Sequence, residues 1–90
     1  MKAELETLAQ EADAALAAFL RAELELGYTY ANTARVEADF DAVGAKRARQ
    51  LAQDALETVE RFRERITDPA IQAELQESRA RLEELLASTA

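Results

Sequence analysis

Histidine, cysteine and tryptophan are absent from this 90-residue chain, proline occurs once and glycine twice. Without cysteine and histidine there is no disulfide, no thiolate nucleophile, no zinc or haem site with sulfur or imidazole ligands, and no histidine acid–base catalysis. Carboxylates are abundant, but a four-helix carboxylate metal centre also needs Glu-x-x-His pairs, which cannot occur here. No glycine-rich phosphate loop exists either. No cofactor, no metal and no enzymatic activity are therefore expected. Long apolar runs are missing too: "AALAAFL" at 14–20 falls far short of the roughly 20 residues that span a bilayer. Basic residues are the minority, 11 against 18 acidic, for a net charge of −7 and a pI near 4.6. That balance argues against nucleic acid or an anionic membrane as partner, since both demand a positive footprint. The opening "MKAELETLAQEAD" is acidic where a secretory signal is basic and then apolar, so a cytoplasmic location is expected.

What remains is rich in alanine, leucine, glutamate and arginine, strong helix formers with no period-2 alternation, and this predicts an all-α chain. Gly44 in "AVGAK" reads as a helix–helix corner, a glycine after a helix end. "ITDPAIQ" at 66–72 reads as a stop followed by a start, with Asp68 as side-chain cap and Pro69 at the first helical position. The expected fold is one domain over 1–90, a three-helix antiparallel bundle with a long first helix. Its helices run roughly 3–42, 45–66 and 69–88.

The stretch "ELELGYTYANTARVE" poses the main puzzle, a glycine and two tyrosines inside a helical segment. The face of Leu20 and Leu24 continues as Gly27, Ala31, Ala34 and Ala38, a stripe of very small residues. The second helix carries its own small stripe in Ala45, Ala48, Ala52 and Ala55. If the chain reverses at Gly44, Ala38 faces Ala48, Ala34 faces Ala52, Ala31 faces Ala55 and Gly27 faces Val59. Close approach of the two backbones would then offset the roughly 1 kcal/mol that glycine costs inside a helix. Tyr30 shares a face with Leu26, Thr33 and Phe40 that is expected to pack on the third helix, and Tyr28 is expected to be the more exposed.

Leu26, Gly27 and Tyr30 have the leucine–glycine–tyrosine spacing of the first helix of a tetratricopeptide repeat, and Ala48, Ala52 and Ala55 match the small-residue spacing of its second helix. Residues 23–66 thus resemble a tetratricopeptide-like helical hairpin, and the segment is similar to small bacterial helical proteins with a related "ELELG" stretch. The stretch from Gly27 to Ala48 is about two turns longer than a standard repeat, and the chain has no second copy. The resemblance implies an adaptor that binds a partner peptide or helix, in a groove that tandem copies would normally build.

The first helix, at roughly 60 Å, outruns the other two, each near 30–33 Å by the 1.5 Å rise. Helices two and three are expected to cover it only from about Leu20 onward. Leu5, Leu8, Ala12, Leu16 and Phe19 recur at heptad-like steps in the uncovered half, and an exposed apolar stripe of that kind marks an interface. The expected function is a non-catalytic interaction or scaffolding module that self-associates, a homodimer through the N-terminal half of its first helix. The alternatives are the peptide-binding adaptor, a monomer in which that helix breaks between Phe19 and Gly27 and folds back, and an engineered helical chain without biological function. The irregular "GYTYANT" favours a natural template over the last.

Overall fold

The structure, a computed structural model, describes residues 1–89. It is an all-α bundle of three helices: α1 (Lys2–Glu37), α2 (Ala42–Arg63) and α3 (Pro69–Ala87). α1 is unbroken over 36 residues, about 54 Å by the helical rise, in a molecule 59 Å long and only 17 by 15 Å across. The fold-back of its N-terminal half does not occur, because no residue before Gly27 interrupts the helical hydrogen-bond ladder.

α2 returns antiparallel to α1, and α3 reverses again to lie across the seam between them. A stripe on α1 at alternating steps of three and four faces inward: Ala17, Leu20, Leu24, Gly27, Ala31 and Ala34 are all buried. Against it pack Ala52, Leu56 and Val59 of α2, Ile66 of the following turn, and Leu75 and Leu82 of α3.

The second helix begins earlier than its glycine suggests. Asp41 is the N-cap, its side chain accepting the Gly44 amide at 2.8 Å, so Gly44 lies inside the first turn of α2. No glycine among the described residues has a positive φ. α1 ends at Glu37, whose carbonyl accepts the amides of Phe40 and Asp41 across the turn at 38–41. Ala38 is therefore an exposed residue of the turn and not part of the packing stripe. Moving the turn about four residues towards the N-terminus slides the α1–α2 register by one helical turn. Gly27 consequently lies beside Ala55, not Val59.

The glycine is where all three helices meet. A Cβ added there would sit 2.5 Å from Leu82 Cδ2 and 3.2 Å from Ala55 Cβ, so the fully buried Leu82 side chain would have to shift to admit it. The close approach that compensates for Gly27 thus involves α3 as much as α2. Both tyrosines are half-buried, so Tyr28 is not the exposed one expected. They flank the buried stripe on opposite sides, and it is Tyr28 that reaches α3, donating its hydroxyl to the Ser78 carbonyl at 3.3 Å. Tyr30 is half-buried against the core, while Phe40, expected beside it on α3, stands 74% exposed in the turn.

Replacing Gly27 with leucine is expected to destabilise the fold by about 1–3 kcal/mol through overpacking, despite the better helix propensity. Urea titration checks this, and a variant as stable as the parent would remove the close-packing account.

Candidate interaction surface

Where cover on α1 stops is set by one carboxylate. Asp13 occupies a position on the inward stripe and is only 6% exposed, yet it is an acid. Its oxygens accept the Thr67 amide at 3.0 Å, the Thr67 hydroxyl at 2.7 Å and the Asp68 amide at 2.9 Å. Those amides belong to the turn between α2 and α3, just ahead of the α3 cap, where the Asp68 side chain accepts the Ala70 amide at 2.8 Å. The Thr67 amide and hydroxyl, joined by the Asp68 amide, hold the Asp13 carboxyl below its usual range.

Neighbouring contacts fasten the same end. The Gln72 amide donates to the Ile66 carbonyl at 2.7 Å, and Arg63 reaches Gln72 at 3.3 Å and Glu60 at 3.2 Å. Arg65 lies over the Phe62 ring, 4.8 Å from its centroid. Farther along, Arg21 of α1 grips Glu74 of α3 through two hydrogen bonds of 2.6 and 2.7 Å, which hold the Glu74 carboxyl low. Cover on α1 thus reaches back to Asp13, seven residues beyond Leu20, because the earlier α1–α2 turn and the 64–68 segment carry the chain further along.

The five apolar residues of the N-terminal stripe fall into two sets. Leu5 and Leu8 are 61% and 59% exposed, and Ala12 is exposed with them. Leu16 and Phe19 touch their own chain: Leu16 is half-buried against the core, and Phe19 sets its ring edge-on to Phe62, centroids 6.4 Å apart. The other seven singled-out residues lie elsewhere. Gly27, Ala31, Ala34, Ala48, Ala52 and Ala55 are buried between the helices, and Ala38 is in the turn.

Among the described residues no three acidic side chains are placed to hold a metal ion, and no helix is long and apolar enough to cross a membrane. One shallow depression runs along the outer side of α1 between Thr29 and Phe40. Comparison with protein-family models, with curated proteins and with solved structures found no match.

Asp13 was not singled out by sequence reasoning. Its one signal is an acid in step with Ala17, Leu20 and Leu24 on an otherwise apolar stripe. Because its carboxyl is easier to ionise folded than unfolded, its stabilisation is fully present above the ordinary carboxylate pKa of about 4 and is lost as pH falls through the lower folded value. Asp13→Ala is expected to lower the urea midpoint at pH 7, and its deficit relative to the parent should shrink once the pH drops below about 4. A deficit independent of pH would show that the carboxylate charge is not what matters.

Proposed function

We propose that this protein is a non-catalytic helical interaction module that self-associates, with the uncovered N-terminal part of α1 as the contact. The observation that carries the reading is the exposure of Leu5 and Leu8, 61% and 59%, on a helix projecting beyond the Asp13 anchor. A side chain of that size gains roughly 1.5–3 kcal/mol on full burial, so two such residues on a short projection favour a partner that covers them. Lack of histidine and cysteine supports the non-catalytic part of the reading. A two-fold pairing is the simplest arrangement in which one surface satisfies itself.

Leu16 and Phe19 are unsuitable probes, since both also pack within the chain. Leu5→Asp with Leu8→Asp touches nothing in the core. Light scattering is expected to give a dimer mass for the parent and a monomer mass for this double variant, with unchanged helix content. A parent that stays monomeric at high concentration would defeat self-association and leave the tetratricopeptide-like adaptor, with a partner's helix or peptide as occupant, as the better reading.

A further inference from the structure

The exposed stripe does not stop at Phe19. The same three-and-four steps continue through Ala22, Leu26, Thr29, Thr33 and Val36, and of these only Thr33 is even partly covered. No charged residue of α1 falls on any position of this stripe from Leu5 to Val36. At 100° per residue it lies on roughly the opposite side of α1 from the buried stripe, about 150° away, and both repeat every seven residues. α1 is therefore built with two seams, one filled by α2 and α3 and the other open along most of its length, with Phe19 edged by Phe62 and Thr33 partly covered.

We infer that the open seam is filled by a second copy of this chain, α1 against α1 in antiparallel orientation over its full length. The inference rests on the self-association proposed above and assigns its extent and direction.

Area decides the extent. From Leu5 to Val36 the seam is about 47 Å long, and at a helix width of roughly 12 Å it would cover about 550 Å² of each copy, about 1,100 Å² in all. That clears the roughly 1,000 Å² expected of a specific interface. The projection before Asp13 alone, about 16 Å long, would give only about 400 Å² in all, the size of an incidental contact.

Side-chain size decides the direction. In antiparallel register with Leu5 opposite the second copy's Val36, Phe19 meets Ala22 and Leu26 meets Ala15, the exposed residue seven after Leu8 that shares the stripe beside Leu16, so wide residues fall against narrow ones. Parallel pairing would set Phe19 on Phe19 and leave Ala12 facing Ala12, crowding one layer and emptying another. Charge does not decide the direction: the end of the second copy that meets the acidic projection carries Glu37, Asp39 and Asp41 as well as Lys46, Arg47 and Arg49, and salt screens what remains at such solvated ends.

The natural absence of cysteine makes the direction directly readable. Leu8→Cys with Thr33→Cys puts two thiols on one chain about 37 Å apart, too far to join internally. Oxidation of the dimer, followed by peptide mass mapping, is expected to give a covalent dimer linking position 8 to position 33. Linkage of 8 to 8, or a parent dimer whose variant forms no cross-link, overturns the antiparallel seam while leaving self-association standing. In the middle of the seam, Ala22→Glu alters an exposed residue outside the core and is expected to weaken dimerisation by about tenfold or more with helix content retained. A dimer indifferent to Ala22→Glu would confine the contact to the projection and overturn the inference. A monomeric parent overturns both this inference and the function it rests on.

Discussion

Asp13 receives hydrogen bonds from the turn that joins the second helix to the third, and the arrangement of the whole molecule depends on that one junction. A carboxylate on an otherwise apolar stripe costs stability unless its oxygens find donors. Two amides that no helix can use, at Thr67 and Asp68, supply them together with the Thr67 hydroxyl. The exchange solves two problems at once: the acid is satisfied, and the turn is held at a defined height along α1. From that height α3 starts at Pro69 and runs back over the seam, bringing Leu75 and Leu82 onto Leu20 and Leu24. Small residues then set how closely the helices approach, down to the three-way contact of Gly27, Ala55 and Leu82.

How much of this could be read from residues alone follows from the range of each interaction. The start of α3 was legible because its cap is local: Asp68 and Pro69 act on amides two or three positions away. The three helices and the small stripe were legible for a similar reason, since helical periodicity is carried by neighbours. Gly44 misled because glycine serves both after a helix end and within a first turn, and only the acceptor at Asp41 distinguishes the two. That one misplacement carried Ala38 out of the core and moved every facing pair by a turn.

Longer-range features were harder to see. Asp13 and Thr67 are 54 positions apart, so no local pattern announces them. Which tyrosine reaches α3 is hidden for another reason: the two sit about 200° apart around α1, and which flank receives α3 is a property of the bundle's handedness, not of either residue. The N-terminal part of the open stripe was legible from Leu5, Leu8 and Ala12. Its continuation is hidden in the sequence because Leu26, Thr33 and Phe40 share the face of Tyr30, and helical spacing alone does not say that α3 lies on the other flank.

The eleven residues between Lys2 and Ala12 have one further property. A free peptide of that length is too short to hold helical structure in water, because nucleation outweighs the few bonds it gains. Here the nucleus already exists on the far side of Asp13, so these residues need only extend a formed helix, adding one hydrogen bond for each residue fixed. Such a segment opens and re-forms without a nucleation barrier, with Asp13 as its nearest anchor to the rest of the bundle. In hydrogen exchange on a single copy the boundary would show as a step in amide protection at Asp13, and a partner lying along α1 would erase that step.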